Sequence, residues 1–299
     1  MNNTLLIGSH GYIGSFLRTK IQCDCVDLFI GVDYRELTNF FLEKYDTIIL
    51  LAGNSSVASC LDNQLSSFKN NVENFLILLE KLKNIKKRQK LIYASSSSVY
   101  GKSDINMATE TYNRFVPHNT YDITKHFIDI LASDSNVEYY GLRFGTVCGY
   151  SPILRTDVMI NSMVNSAKEN GFIKLYIKET RRPILGIVDL SNAISRIVNT
   201  DEDKRGVYNL HSFNSTSEEI ANDVAKICDV PIIELKIPNN ITNSKEQTTN
   251  YDFSLSSDKF INNFLFKFEE NVESIVNSLL FKWDEMIKIN RSQKIIYEP

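Results

Sequence analysis

The sequence lacks a long apolar run, an excess of positive charge and a paired set of cysteines. A membrane-spanning helix needs about 20 consecutive apolar residues, and no run in this chain approaches that length. The N-terminus also lacks the basic segment and the longer apolar stretch of a signal peptide. We therefore expect a cytoplasmic protein that does not associate with a membrane.

The charge balance argues against a nucleic-acid partner. The 36 Asp and Glu residues outnumber the 33 Lys and Arg residues, which gives a formal net charge of −3. Nucleic acids are held largely by cations that neutralise their phosphates, and no broad basic surface is expected here. A small anionic ligand needs only a local group of cations, so the composition does not argue against one.

The five cysteines are scattered and odd in number. This pattern fits neither a disulfide framework nor paired zinc ligands. Only Cys23 and Cys25 are close in sequence, and no second pair or histidine cluster completes a tetrahedral site. We expect reduced thiols and no bound metal.

Short apolar strands alternate with amphipathic helices in the first half of the chain. The apolar runs predict strands at residues 4–7, 25–28, 46–53, 90–94 and 138–144, and apolar residues at helical spacing predict helices after residue 11, at 66–83 and at 121–133. Such alternation is typical of a parallel sheet that is covered on both faces. The sequence therefore predicts an α/β fold with a doubly wound, Rossmann-type parallel sheet.

Beyond Gly149 the pattern is less regular and predicts a smaller mixed lobe. We expect a helix at 156–170, a strand at 173–177, a surface loop at 239–250 and a helix at 271–287. Asp189 is predicted to cap an amphipathic helix that returns to the first lobe. The predicted domains are a dinucleotide-binding domain of residues 1–148 with a returning segment at about 186–206, and a substrate lobe of residues 149–185 and 207–299.

A glycine-rich turn connects the first strand to the first helix. Gly8, Gly11 and Gly14 are spaced three residues apart, and glycine lets the backbone turn sharply and approach a diphosphate. The spacing differs from Gly-x-Gly-x-x-Gly, and glycines at such a turn can be purely structural. The position between a strand and a helix favours dinucleotide binding.

Asp27 closes the predicted second strand, 13 residues after Gly14. A carboxylate there can accept both ribose hydroxyls of an adenosine and would repel a 2′-phosphate. This favours NAD over NADP, although Arg18 and Arg35 are near in sequence and would attract such a phosphate. The alternative interpretation is a solvated strand end.

Tyr121 and Lys125 are four residues apart at the start of a predicted helix, so both side chains leave one face. A lysine ammonium there would stabilise a phenolate and lower the tyrosine pKa from about 10 toward neutrality. Tyr121 is therefore a candidate general acid and base, although the spacing also fits an exposed helical pair. The serine run at 95–98 supports catalysis, because hydroxyls at the carboxyl end of a parallel strand face the ligand crevice.

Together these features resemble the extended short-chain dehydrogenase/reductase family, which contains nucleotide-sugar epimerases, dehydratases and reductases. The resemblance covers nearly the whole chain. The matching motifs are the glycine turn, Leu51-Ala52-Gly53, Asn70-Asn71-Val72, the serines before Val99-Tyr100-Gly101, the Tyr121 and Lys125 pair, and residues 142–149.

The resemblance implies roles for the matching positions. It makes Ser96 the catalytic hydroxyl, Tyr121 the base and Lys125 its partner. It implies dinucleotide contacts from Gly8, Gly11, Tyr12, Ile13, Gly14, Asp27, Asp33, Tyr34, Leu51, Ala52, Gly53, Asn70, Ser95, Tyr121 and Lys125. It implies contacts with a nucleoside-diphosphate sugar from Ser96, Ser97, Tyr121, Arg155, Asn161 and Arg182, and a homodimer formed through helices of the first lobe.

Serines stand where some members of the family carry groups for other reactions. The family's dehydratases have an Asp-Glu pair at the positions of Ser97 and Ser98, and serine does not titrate near neutral pH, so elimination is disfavoured. A reductive branch that also epimerises has a cysteine at the position of Ser98. The resemblance leaves a 4-epimerase, which we favour, and an NDP-4-keto-6-deoxyhexose 4-reductase.

A non-catalytic dinucleotide-binding scaffold is the alternative of another class, because a fold does not by itself imply an activity. The presence of Ser96, Tyr121 and Lys125 together argues against it.

Overall fold

The computed structural model describes residues 3–101, 106–112, 114–235 and 251–294. In the first half of the chain, strands and helices alternate as predicted. The strands are β1 (Thr4–Ile7), β2 (Asp24–Val26), β3 (Thr47–Leu50), β4 (Lys90–Ser96), β5 (Met107–Ala108) and β6 (Glu138–Phe144). The helices are α1 (Tyr12–Leu17), α2 (Asn39–Leu42), α3 (Val57–Asp62), α4 (Gln64–Phe68), α5 (Asn74–Lys83) and α6 (Thr120–Ser133).

The second half is more mixed. Its strands are β7 (Thr146–Cys148), β8 (Ile173–Leu175), β9 (Arg181–Gly186), β10 (Gly206–Leu210), β11 (Phe213–Thr216), β12 (Ile232–Glu234) and β13 (Ser254–Leu255). Its helices are α7 (Met159–Asn170), α8 (Ile187–Val198), α9 (Ser217–Cys228), α10 (Asp258–Phe264) and α11 (Val272–Lys294). None of the helices in the described ranges is both long and apolar enough to cross a membrane.

The central sheet has six strands in the order β10-β6-β4-β3-β1-β2, and every neighbouring pair is parallel. The chain runs from β1 outward to β2 and then crosses to β3 on the other side of β1. This reversal creates a crevice at the carboxyl ends of β1 and β3, which is where open α/β sheets bind ligands. The predicted doubly wound parallel sheet is confirmed.

Both faces of the sheet are covered, which explains why its strands are almost continuously apolar. Leu6 faces a layer that contains α1 and α8, represented by Phe16 and Ile194. Leu5 faces the opposite layer, where Phe75 of α5 and Ile128 of α6 pack. Successive strand residues therefore bury against different helices.

A smaller lobe packs beside the sheet. It contains a three-stranded sheet in the order β11-β9-β7 and the two-stranded pair β12-β8. Helices α7, α9 and α11 form its core through apolar side chains such as Val164, Val224 and Ile275. The predicted smaller mixed lobe is confirmed, while its exact boundaries stay a prediction.

Some predicted boundaries are corrected. The single helix expected at 66–83 is interrupted by a π-helical segment, Lys69–Glu73, between α4 and α5. The second strand ends at Val26, and Asp27 instead starts a 3₁₀ turn. The surface loop predicted at 239–250 lies outside the described residues.

The prediction that Asp189 caps α8 is wrong. The helix begins at Ile187, and a carboxylate oxygen of Glu270 accepts the N–H groups of Val188 at 2.8 Å and Asp189 at 3.0 Å. Asp189 accepts the Ser212 hydroxyl at 2.6 Å and the Glu270 N–H at 2.9 Å. The cap therefore comes from a residue 81 positions away in the chain, which a local sequence pattern does not reveal.

Glu270 makes the stability depend on pH. Burial raises the pKa of its carboxyl group from 4.5 to about 7. Between these values the folded protein holds a proton that the unfolded chain releases, so the free energy of unfolding falls as the pH rises. We predict that Glu270→Gln, which keeps an oxygen acceptor, removes this part of the fall in the free energy of unfolding. Urea unfolding at several pH values between 4.5 and 7 measures that free energy.

Glu269→Gln is the matched control, because the Glu269 side chain is 72% exposed and does not cap α8. Glu269→Gln should leave the fall in the free energy of unfolding with pH unchanged. Equal pH slopes for the wild type and Glu270→Gln would contradict the prediction.

Candidate active site

A cavity of about 740 Å³ opens at the crevice between the sheet and the smaller lobe. The sheet contributes residues at the ends of β1, β3, β4 and β6, including Gly8, Leu51, Ser96 and Phe144. The smaller lobe contributes side chains from several segments, among them Arg155, Val158, Arg182, Tyr251 and Phe253. Two lobes thus face one cavity at the switch point of the sheet.

The glycine turn forms one end of this cavity. Gly8 has φ +88°, and a Cβ atom there would lie 2.4 Å from the backbone nitrogen of Ala52. A Cβ at Gly14 would lie 2.0 Å from the Gly8 carbonyl oxygen, so both glycines are required by the fold. Gly11 differs, because a Cβ there would come no closer than 3.7 Å to the neighbouring protein. The bare backbone at Gly11 instead leaves room for a ligand, which fits the diphosphate expected from the sequence.

All the residues predicted to contact a dinucleotide line this cavity. Their individual contacts stay predictions. Asp27 and Asp33 lie toward the glycine-turn end, and Tyr121 and Lys125 lie near the end of β4. The cavity therefore joins the predicted nucleotide-binding and reactive groups.

The cations that could favour a 2′-phosphate are already engaged. Arg35 forms an ion pair with Asp33, with its Nε donating to the carboxylate at 2.8 Å. Arg18 does not line the cavity and hydrogen-bonds Nε2 of His10 at 2.9 Å. Asp27 accepts the N–H of His10 at 2.8 Å, which ties this carboxylate to the glycine turn.

Ser96, Tyr121 and Lys125 meet where the first turn of α6 approaches the end of β4. Lys125 donates from Nζ to the carbonyl oxygen of Ala94 at 2.7 Å, and Nζ lies 5.7 Å from the centre of the Tyr121 ring. Ser96 and Tyr121 both line the cavity, and the Ser96 hydroxyl acts to lower the pKa of Tyr121. The structure thus brings together the three residues that the resemblance made catalytic.

The pKa of Tyr121 differs from the prediction. Burial raises it to about 12, and the Ser96 hydroxyl and the charge of Arg155 oppose this rise only in part. Burial also lowers the pKa of Lys125 to about 8. The prediction that Lys125 brings the tyrosine pKa toward neutrality is wrong for the protein alone, because the ammonium group is bound to Ala94 and the phenolate loses its hydration. In the protein without a dinucleotide, burial therefore favours the neutral phenol of Tyr121.

A buried ionic network supports this arrangement from beneath. Asp129 of α6 accepts Arg143 Nε of β6 at 2.8 Å, the Ser95 hydroxyl of β4 at 3.0 Å and the Tyr93 hydroxyl at 3.1 Å. The Ser95 hydroxyl therefore points to Asp129, even though the residue lines the cavity. Arg143 also donates to the Tyr100 hydroxyl at 2.9 Å. The network fixes the end of β4 against α6.

Five of the six residues predicted to contact a sugar nucleotide line the cavity, and Asn161 does not. Asn161 is 0% exposed, accepts the Gly149 N–H at 2.9 Å and donates to the Arg155 carbonyl oxygen at 2.9 Å. It shapes the loop that carries Arg155, and its position does not support the predicted substrate contact.

The two neighbouring arginines of β9 have different surroundings. Arg182 lines the cavity, whereas Arg181 pairs with Asp252 at 2.9 Å outside it. Arg155 lines the cavity and pairs with Asp157 at 2.6 Å. Arg155 and Arg182 are thus the arginines that the smaller lobe presents to a ligand, within the described residues.

The sequence did not identify several residues of the site. Tyr251 and Phe253 line the cavity from the segment before β13 and belong to no motif. Asn71 accepts the Asn54 N–H at 2.7 Å and donates to the Thr124 hydroxyl at 3.1 Å, which joins the end of β3 to α6. The Asn70-Asn71-Val72 motif pointed to this region of the chain. The motif alone did not show that Asn70 lines the cavity whereas Asn71 is buried behind it.

An open parallel sheet with a glycine turn and a ligand cavity at its switch point defines a Rossmann-type α/β protein. The model of the NAD dependent epimerase/dehydratase family matches residues 4–210. The chain belongs to this family, which confirms the resemblance seen in the sequence.

Individual relatives are distant. Protein CapI from Staphylococcus aureus is 29% identical over 231 residues, which are 65% of this chain and 68% of CapI. UDP-glucuronic acid 4-epimerase from Bacillus cereus, solved with UDP-glucuronic acid and NAD, has a TM-score of 0.78 at 17% identity and covers 96% of this chain and 99% of its own. The NDP-hexosamine 5,6-dehydratase TunA has a TM-score of 0.79 at 16% identity, with 95% and 98% covered. Likeness at this level shows the fold and does not separate epimerase from dehydratase.

Proposed function

We propose that the protein is an NAD-dependent 4-epimerase of a nucleoside-diphosphate hexose. The observation that carries this proposal is the meeting of Ser96, Tyr121 and Lys125 in the same cavity that the glycine turn lines. A hydroxyl, a phenol and an ammonium group around one position suit proton exchange at a sugar hydroxyl. The similarity to the Bacillus cereus 4-epimerase supports the same class of substrate.

The residues present fit NAD. Gly11 leaves space for the diphosphate, and Asp27 and Asp33 place negative charge where a 2′-phosphate would lie. Arg18 and Arg35 are both held by protein partners, so neither of these two arginines is free to favour a 2′-phosphate. When bound, the dinucleotide supplies an acceptor for the electron pair of the sugar C4–H bond and later returns it.

The chain's own residues transfer the proton and bind the substrate. Tyr121 removes the O4 proton and gives it back, while Ser96 hydrogen-bonds the reacting oxygen and Lys125 adds a nearby positive charge. Arg155 and Arg182 hold the diphosphate, because a guanidinium group can grip phosphate oxygens in pairs. The positive charge of Arg155 also favours ionised Tyr121.

The distribution of acids supports epimerisation over elimination. Among the described residues that line the cavity, the acidic ones are Asp27 and Asp33, which belong to the dinucleotide end. Ser97 and Ser98 stand beside the reactive group and do not titrate near neutral pH. Loss of water needs a second titratable group near the sugar, and this wall of the cavity does not supply it.

We also propose that the protein forms a homodimer through α4 and α6. Large apolar side chains on these neighbouring helices are exposed, with Leu65 at 70%, Phe127 at 43% and Ile130 at 48%. The rings of Phe68 and Phe127 lie 5.7 Å apart, so the two helices share one apolar face. A contiguous exposed apolar face favours association with a second copy.

The reaction can be tested with the purified protein and its bound dinucleotide. We expect it to convert at least one UDP- or dTDP-hexose to the 4-epimer without added reductant. Strict dependence on added NAD(P)H with a 4-keto sugar would show the 4-reductase instead. If the protein binds the dinucleotide but converts neither the nucleotide hexoses nor the 4-keto sugars, it is a non-catalytic binding protein.

Tyr121→Phe removes the proposed acid and base and keeps the ring. We predict that this variant folds, binds NAD and loses at least about a thousandfold in kcat, within the range for loss of general acid–base catalysis. Steady-state kinetics and calorimetric NAD titration measure the two effects. Near-normal turnover would contradict the role of Tyr121.

Arg182→Ala tests the substrate end of the cavity. We predict that it weakens UDP-sugar binding by at least about tenfold, as expected for a lost charge-assisted hydrogen bond, and leaves NAD binding unchanged. Isothermal titration with each ligand separates the two. The control is Arg205→Ala, which removes an exposed arginine paired with Asp203 and away from the cavity; equal losses for both ligands would refute the assignment of Arg182.

Phe127→Glu tests the dimer. A carboxylate in the centre of an apolar interface loses its hydration, so we predict monomers in sedimentation velocity for this variant and dimers for the wild type. Phe40→Glu is the control, because Phe40 is 77% exposed on α2 and outside the α4 and α6 face. An unchanged sedimentation coefficient in Phe127→Glu would rule out this interface.

A further inference from the structure

Tyr121 lies in the first turn of α6, which begins at Thr120. The first four N–H groups of a helix lack partners inside the helix, so this turn opens more easily than the rest unless other groups hold it. A displacement of about 1 Å at a reacting group can cost about a hundredfold in rate. The contacts that hold this turn therefore bear directly on the proposed role of Tyr121.

Two side chains that flank Tyr121 fold back over this turn. Asn119 is the N-cap residue, and its Oδ1 accepts the Asp122 N–H at 3.0 Å. Oδ2 of Asp122 accepts the His118 N–H at 3.0 Å. Both side chains belong to buried residues, with Asn119 6% and Asp122 0% exposed. The remaining side-chain atoms, Asn119 Nδ2 and Asp122 Oδ1, bind one common partner.

That common partner is the hydroxyl of Tyr251. The hydroxyl oxygen accepts from Asn119 Nδ2 at 2.8 Å, and the hydroxyl donates to Asp122 Oδ1 at 2.7 Å. The Tyr251 ring also lies edge-on to the ring of His118, with centroids 5.8 Å apart. A residue 129 positions beyond Asp122 in the chain therefore joins the two side chains on either side of Tyr121.

Contacts outside α6 hold Tyr251 in its place. The next residue, Asp252, accepts the N–H and the Nε of Arg181, both at 2.9 Å. After it, the ring of Phe253 packs edge-on against the ring of Tyr100, with centroids 6.0 Å apart. Strand β13 follows and pairs with β5. The position of the Tyr251 hydroxyl is therefore set by β9 and β5, and α6 is held against it.

The same connection passes along the wall of the cavity. Tyr121 and Tyr251 line it, and so does Arg182, which follows Arg181 on β9. The connection therefore runs from the strand that carries a proposed diphosphate ligand to the turn that carries the proposed acid and base. Its non-covalent steps are hydrogen bonds of 2.7–2.9 Å.

We propose that Tyr251 is a positioning residue, whose hydroxyl holds the first turn of α6 and thereby keeps the Tyr121 phenol in place for the sugar hydroxyl. This inference rests on the proposed function, because it describes how Tyr121 is kept within reach of a substrate. It assigns a role in the reaction to a tyrosine that belongs to no motif and whose own hydroxyl is bound to Asn119 and Asp122.

Two other roles for Tyr251 make different predictions. If its hydroxyl contacted the substrate directly, Tyr251→Phe would weaken the binding of the nucleotide sugar. If its role were purely structural, Tyr251→Phe would lower the free energy of unfolding and leave the turnover of the folded protein unchanged. The positioning role predicts a lower kcat with unchanged affinity for the nucleotide sugar and for NAD.

The first test measures the turn itself and needs no substrate. Hydrogen–deuterium exchange, followed by mass spectrometry on peptides that cover residues 119–124, reports how often the first turn of α6 opens. We expect Tyr251→Phe to speed exchange in these peptides about tenfold, because it removes a hydrogen bond to a charged group. Unchanged exchange in these peptides would overturn the proposal.

Tyr45→Phe is the matched control. The Tyr45 hydroxyl donates to a carboxylate oxygen of Asp24 at 2.9 Å, so this variant loses the same kind of hydrogen bond. Tyr45 is buried and does not line the cavity. Tyr45→Phe should leave both the exchange at residues 119–124 and kcat unchanged. Equal effects of Tyr45→Phe and Tyr251→Phe would indicate a general loss of stability and overturn the positioning role.

The second test compares turnover in the dinucleotide-loaded protein. We expect Tyr251→Phe to lower kcat about tenfold, because a looser first turn places Tyr121 less accurately. Isothermal titration should give wild-type affinities for the nucleotide sugar and for NAD. A weaker affinity for the nucleotide sugar with normal kcat would overturn the positioning role in favour of a direct substrate contact.

Asn119→Ser breaks the same connection from the side of α6. Serine keeps an N-cap oxygen for the first turn but lacks the amide that donates to Tyr251. We expect the double variant Asn119→Ser/Tyr251→Phe to have the kcat of Tyr251→Phe alone, because the Tyr251 hydroxyl is already gone. Losses in kcat that multiply would overturn the proposal.

The outcomes separate the positioning role from the proposed function. Normal kcat in Tyr251→Phe, with an inactive Tyr121→Phe, would overturn the positioning role and leave the function standing. A wild-type protein that converts no nucleotide sugar would overturn the proposed function, while the exchange experiment would still decide whether Tyr251 holds the first turn of α6.

Discussion

The rest of the site depends on the contacts that the Asp129 carboxylate makes with two neighbouring strands. Asp129 lies on α6, two turns beyond Tyr121, and binds Arg143 of β6 and Ser95 of β4. The side chains of this ion pair are only 4% and 9% exposed. Removing one partner of such a pair leaves a buried charge uncompensated and costs about 3–5 kcal/mol. Because Tyr121 and Lys125 are on α6 and Ser96 is on β4, the contacts of Asp129 with both strands hold the reactive groups in place.

A second set of contacts fixes the smaller lobe against the glycine turn. The Tyr12 hydroxyl donates to the Gly149 carbonyl oxygen at 2.9 Å, and the hydroxyls of Ser15 and Ser151 lie 2.7 Å apart. These bonds connect α1 directly to the loop that carries Arg155, and Asn161 supports that loop from behind. These hydrogen bonds therefore tie the glycine-turn end of the cavity to the loop that carries Arg155.

The sequence predicted features that depend on local chemistry and missed those that depend on distant partners. Strand β1 and helix α6 were located closely, because apolar spacing reports which face of an element is buried. The cap of α8 by Glu270 joins segments far apart in the chain, and no local pattern encodes it. The pKa of Tyr121 was missed for the same reason, since it depends on burial that only the folded chain produces. Tyr251 enters the site through tertiary packing alone.

The fold by itself leaves the reaction open, because an epimerase and a dehydratase superpose on this chain about equally well, with TM-scores of 0.78 and 0.79. The difference must therefore lie in a few side chains around the sugar. Ser97 and Ser98 line the cavity and do not titrate near neutral pH. An acid that faced the sugar from those positions could protonate a leaving hydroxyl. Because the described residues of this wall supply no such acid, the proposed chemistry stays at the sugar hydroxyl that Tyr121 would contact.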